Sequence, residues 1–148
     1  MKKILIALLI ALLLGFVIYG FIEKNPNTTS SYTEETTTSD QLLATAYQNQ
    51  QSDLQVGGSG EVIHILPDDN EGSRHQKFII RLSSGQTLLI AHNIDLAPRI
   101  DSIEEGDTIE FYGEYEWNSK GGVVHWTHHD PNARHENGWL KHEGSIYE

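Results

Sequence analysis

Every second residue between Ile109 and Trp117 is apolar or glycine: Ile109, Phe111, Gly113, Tyr115 and Trp117 alternate with Glu110, Tyr112, Glu114 and Glu116. Successive side chains of a strand point to opposite faces, so this period specifies a strand with one packed face and one wet face. Shorter apolar runs flank it, each closed by a turn signal. Residues 62–66 stop at Pro67-Asp68-Asp69-Asn70-Glu71-Gly72, and residues 77–82 stop at Ser83-Ser84-Gly85. Residues 87–92 lead into a short helical or irregular connection through 98–105, and Gly106-Asp107 opens the alternating strand. Residues 118–122 then turn into a fifth strand over 123–128. Five strands, with the third and fourth far enough apart for a helix, predict an all-β domain over residues 58–148. The expected architecture is a five-stranded OB-like Greek-key barrel with a short helix. An SH3-like barrel is the alternative.

The chain ahead of the barrel has a different composition. Residues 4–22 are apolar without a charge, long enough as a helix to cross a hydrocarbon core of roughly 30 Å. Lys2 and Lys3 precede them, which favours a cytoplasmic N-terminus and export of the rest. A cleaved signal peptide competes with a signal anchor. No small-x-small pattern marks a cleavage point, since Gly20 has Ile18 two residues before it, and the run exceeds a usual signal core. Residues 1–22 are therefore expected to be a transmembrane signal anchor in a cytoplasmic membrane, with the remainder outside the cytoplasm. Residues 23–39, rich in Thr, Ser and Asn, are expected to be a flexible linker. Residues 40–57 are expected to form a short helix and lead-in, with Asp40 as N-cap, Leu42, Leu43, Ala46 and Tyr47 as its apolar positions, and the Gly57–Gly60 run as its end.

Charge narrows the partners. Lys2 and Lys3 account for two of the ten Lys and Arg residues, leaving eight against all 21 Asp and Glu beyond residue 22. A nucleic-acid binder displaces counterions with basic surface, so this excess of acid argues against nucleic acid. The membrane is one expected partner; a small molecule, a glycan or an envelope protein is the other. The chain has no cysteine, which excludes disulfides and thiolate zinc sites.

The segments GSGEVIHILPDDNEGSRHQKF, LLIAHNIDLAPR, GEYEWN, GGVVHWTHHDP and GWLKHEGSIY identify a likeness of another kind. From Gly58 onward the chain resembles an uncharacterised bacterial family of domains of unknown function. The resemblance implies an OB-like barrel in an exported protein and carries no activity with it.

Polar chemistry is concentrated in the barrel. In an OB circuit the second strand begins at the pole where the third and fifth end. Arg74-His75, His92-Asn93-Ile94-Asp95 and His128-His129-Asp130 should therefore converge beside the Asp68-Asp69 loop. If Leu88 and Ile90 face inward, so does His92; if Val124 and Trp126 do, so does His128. His92, His128 and Asp130 are the candidate ligands of a divalent metal. Arg74 and His75 are the candidate oxyanion partner and proton carrier. His92, Asn93, Asp95 and Tyr112 are the candidate organic-ligand contacts, Tyr112 from the wet face of the fourth strand. His125 and His129 lie about 13 Å apart on an extended strand and cannot share an ion. A purely structural role, with these groups capping the barrel end, stands beside the metal and ligand readings. The acidic loop 68–72 lacks calcium-loop spacing and reads as a turn. Ile94-Asp95-Leu96-Ala97-Pro98 looks like part of a staphylococcal-type nuclease motif, but its Asp-Gly-Asp-Thr turn and its nearby Arg are missing. The chain should thus be an extracytoplasmic, membrane-tethered binding module, or alternatively a metal-dependent hydrolase centred on the polar pole. The tail, with Trp139, Leu140, Ile146 and Tyr147, should fold back onto the barrel.

Overall fold

A computed structural model describes residues 30–148, and the compact unit Glu34–Glu148 carries the whole barrel. The elements are helix α1 (Ser30–Gln48) and strands β1 (Leu54–Ile65), β2 (His75–Arg81), β3 (Thr87–Asn93), β4 (Thr108–Glu116), β5 (Val123–His125), β6 (Trp139–His142) and β7 (Ser145–Tyr147). Strands β1-β2-β3-β5-β4 are hydrogen-bonded in that order, and β4 pairs back with β1, which closes a five-stranded barrel. All pairings are antiparallel except β3 with β5. Among the described residues the fold is therefore all-β, apart from one helix. Residues 4–22, expected as a membrane anchor, lie outside the described residues. Among the described residues no helix is long and apolar enough to cross a membrane.

Strand β4 follows the expected alternation: Ile109, Phe111, Gly113 and Tyr115 are buried, and the residues between them face out. They meet Val62, Phe78, Ile80, Leu88, Ile90 and Val124 in the core. Strand β1 is far longer than residues 62–66, because the glycine run is inside it rather than before it. Its first part pairs with β4 from Leu54↔Tyr115 to Glu61↔Thr108, and its last part pairs with β2 from Glu61↔Arg81 to Ile65↔Phe78, with a bulge between Val62 and His64. A Cβ on Gly58 would stand 2.7 Å from the Phe111 ring. Glycine, which usually breaks strands, is here what lets the core ring fit beneath the backbone.

Helix α1 begins at Ser30, well before the expected start at Asp40. Asp40 is not its cap but an interior residue. It points into the protein, where its carboxylate accepts hydrogen bonds from the Ser83 hydroxyl (2.5 Å) and the Ser84 amide (2.9 Å) of the β2–β3 turn. The buried stripe is Asp40, Leu43 and Ala46, at three-residue spacing, while Leu42 faces out. Leu43 and Ala46 plug one end of the barrel. The helix end is pinned by the Trp117 indole N–H donating to the Tyr47 carbonyl at 3.1 Å.

The opposite pole is closed by the β3–β4 connection, which consists of turns and contains no helix. The buried Gln76 amide holds Ile100 from both sides, donating to its carbonyl and accepting from its amide, each at 2.9 Å. The tail does fold back: β6 pairs with β4 from Ile109↔His142 to Tyr112↔Trp139, along the edge that β5 is too short to cover. At its far end His142 is buried, and its Nε2 lies 2.8 Å from the Asp107 carboxylate.

Candidate functional site

Arg74 meets Asp95, and His75 and His128 come near His92, whereas Asp130 bonds within its own 130–137 loop and His129 lies against Glu148. Asp95 accepts both the Arg74 amide (2.8 Å) and its guanidinium Nε (2.7 Å). Those bonds hold its carboxyl below the usual range. Asn93 receives the Asp95 amide at 2.9 Å, so its side chain shapes the same turn. His75 pairs with Asn93 across the β2–β3 ladder, and its Nδ1–H donates to the Ser73 carbonyl at 2.8 Å. Asp68 lies against Arg99 at 3.0 Å. These are loop-fastening contacts.

His92 sits deepest, with no exposed surface. Its Nε2–H donates to the Pro98 carbonyl (3.1 Å), and its Nδ1 accepts from the Thr127 hydroxyl (2.8 Å). Burial pushes its pKa down to about 4, and the nearby charges of His128 and His75 push the same way. The neutral ring therefore has both nitrogens engaged.

The expected inward pair on the fifth strand, Trp126 and His128, is displaced. Strand β5 ends at His125, and Trp126 takes a left-handed φ of 52°, a costly conformation for a bulky side chain. The period slips by one there. Thr127 turns inward onto His92, and Trp126 turns outward, its ring stacked on His135 at 4.2 Å and 7°. His128 is buried against the Trp126 ring, with Nδ1 donating to the His129 carbonyl at 2.7 Å. Asp130 is used by its own loop: its carboxylate accepts the amides of Asn132, Arg134 and His135, which hold its pKa down. The oxygens of Asp130 and the nitrogens of His92 are thus committed to backbone and neighbour.

A second constellation lies on the outer wall of the barrel, and sequence reasoning passed over it. Along β4 the outward residues are Tyr112, Glu114 and Glu116. Opposite them on β5 stands His125, in register with Glu114. Its Nε2 is 3.2 Å from Glu114 Oε1 and 3.7 Å from Glu116 Oε1. Neither contact has hydrogen-bond geometry, and this nitrogen is sealed from solvent without a hydrogen-bond partner among the described residues. His135 reaches the other oxygen of Glu114 at 2.6 Å, while its Nδ1–H donates to the Glu136 carbonyl at 2.7 Å. Burial alone would lower the His135 pKa, but the bonds to Glu114 and Glu136 outweigh it and raise it. The signal that could have exposed this group was Glu-x-Glu on one strand face, given the register that sets a histidine opposite.

Below the carboxylates, Tyr112 stacks against Trp139 with ring centroids 6.3 Å apart, and its hydroxyl donates to Glu136 at 2.5 Å. The chain between β5 and β6 crosses this wall through Gly138, where a Cβ would stand 2.0 Å from the Trp126 carbonyl. Any side chain there would lift the tail off the aromatic surface.

No curated protein matches the chain. A family model described as a protein of unknown function, DUF3465, matches residues 27–148. That span takes in the barrel, the polar pole and the outer wall together, and the chain belongs to the DUF3465 family.

Proposed function

We propose that the chain is an OB-type binding module of the bacterial envelope, tethered to the cytoplasmic membrane through residues 1–22, with its ligand taken on the outer wall of β4. The circuit β1-β2-β3-β5-β4-β1 with its one parallel pair supports the OB assignment. One observation carries the binding reading: the nitrogens of His92 and the carboxylates of Asp95 and Asp130 are engaged at the pole, whereas the β4 wall carries a half-buried, stacked Tyr112–Trp139 pair. A metal-dependent hydrolase built on His92, His128 and Asp130 would need His92 to give up Thr127 or Pro98. Flat aromatic faces suit the apolar face of a sugar ring, and the acidic residues around them repel anionic polymers. The ligand is therefore a neutral or cationic glycan.

Two measurements test this. The full chain should stay with carbonate-washed membranes, and a reporter fused after Glu148 should be active only outside the cytoplasm. Release of a soluble form beginning near the end of the apolar run would overturn the anchor. Neutral N-acetylglucosamine oligomers titrated into the detergent-solubilised chain should shift its tryptophan fluorescence, because Trp139 and Trp126 line the wall. Tyr112→Ala should remove that shift; a wild-type chain that gives none loses the glycan assignment and keeps the tether.

A further inference from the structure

We infer that His125, Glu114 and Glu116 form a divalent-cation site of the tetrahedral zinc type on the outer wall of β4. One ligand atom from each lies within 4.8 Å of the others, the one such group of His, Asp or Glu among the described residues. The spacing is more telling than the proximity. Atoms bonded tetrahedrally to zinc at about 2.0–2.2 Å lie about 3.4 Å from one another. The His125 nitrogen stands 3.2 and 3.7 Å from its two carboxylate oxygens, on either side of that edge length. An imidazolium paired with a carboxylate would instead aim its N–H along one short, straight bond. Here the nitrogen points at neither oxygen and is nonetheless buried, an expensive arrangement for a polar atom with nothing to bind. A cation placed on its lone pair, between the two carboxylates, satisfies all three groups at once.

The surroundings fit. Two strands hold the ligands in register, so the site is carried by the ladder rather than by a loop. His135 occupies the outer oxygen of Glu114 and leaves the inner one facing His125. A hydrogen bond of this kind fixes the direction of a ligating carboxylate. The imidazole–carboxylate donor set suits zinc, and three protein ligands leave the fourth position to water. His135 in this account is a positioning residue. The site adjoins the aromatic surface on the same face of β4, but zinc binding is read without the glycan, so either can fail without the other.

The test uses the full chain in detergent, stripped with a chelator and then equilibrated with Zn2+ alone. Elemental analysis should find one equivalent per chain, and zinc should raise the melting temperature. His125→Ala and Glu116→Gln should each weaken binding by at least about tenfold, and His135→Gln by about 10–100-fold, as expected for a group behind a ligand. His129→Ala, on an exposed ring paired with Glu148, should leave the affinity unchanged. Co2+ should give the visible absorption of a tetrahedral nitrogen–oxygen site, and Glu116→Gln should abolish it even if His125→Ala does not fold. Zinc content far below one equivalent overturns the site and leaves His125 as a buried ion-pair partner. Affinity indifferent to both His125→Ala and Glu116→Gln overturns it equally, since the zinc would then sit on scattered histidines.

Discussion

Phe111→Ala should lower the stability of the barrel by about 3–5 kcal/mol, the cost of emptying a buried aromatic position. The ring is fully buried at the centre of β4, beneath the backbone of β1 at Gly58. Glu110→Ala, one residue away on the exposed side and paired only with Lys141, should stay within about 0.5 kcal/mol. Gly58→Ala alone should cost about 1–3 kcal/mol, because its methyl would enter the space the ring occupies. Combined with Phe111→Ala, that methyl has room, so the double variant should lose less than the two single changes together. Urea denaturation of the four proteins measures this directly. Strict additivity would show that Gly58 and Phe111 do not share the space that closes β1 onto β4.

Stability should also fall by about 3 kcal/mol between pH near 7 and pH near 4, largely because of His92. Its folded pKa of about 4 lies below the unfolded value of 6.5, so the folded state resists taking up its proton. The contribution is complete above the unfolded pKa and disappears as pH falls toward the folded one. His135 has the opposite sign: its raised pKa gives stability that is present in acid and lost as pH rises through the folded value. It is therefore silent in the His92 window. Asp95 and Asp130, held low by backbone amides, weaken the fold only in stronger acid. His92→Gln, which keeps an acceptor for Thr127 and a donor for Pro98, should flatten the slope across that window. Unchanged slopes in wild type and variant would assign the acid loss to other groups.

The parts of this fold that follow a simple period could be read from the sequence, and the parts that depend on close approach could not. Strand β4 announces itself through alternation, and the turns around it through Gly, Pro and Asp. Strand β1 does not, because glycine spacing that signals a break in isolation is demanded here by the Phe111 ring. The meeting of Arg74 with Asp95 followed from topology alone, as did the approach of His92 and His128. Which atom would satisfy His92 did not, because Trp126 adopts a left-handed conformation that its side chain gives no reason to expect. That one residue turns Trp126 out and Thr127 in, while His128 behind it stays buried. The group at Glu114, Glu116 and His125 needed the β4–β5 register, which residue patterns alone leave open.

The tail hairpin has a protective role beyond its contribution to the wall. Without β6, the stretch of β4 from Ile109 to Tyr112 would present unpaired amides and carbonyls at an open edge, because β5 bonds only to residues 114–116. Open edges recruit strands from other molecules. The cover is slight: β6 has four residues, and among the described strands β7 pairs with β6 alone. Such a flap opens at a lower free energy than the barrel unfolds. Each opening uncovers a template for intermolecular pairing while the rest of the domain is still native. Resistance of this protein to self-association therefore depends on how firmly a short terminal ribbon stays shut.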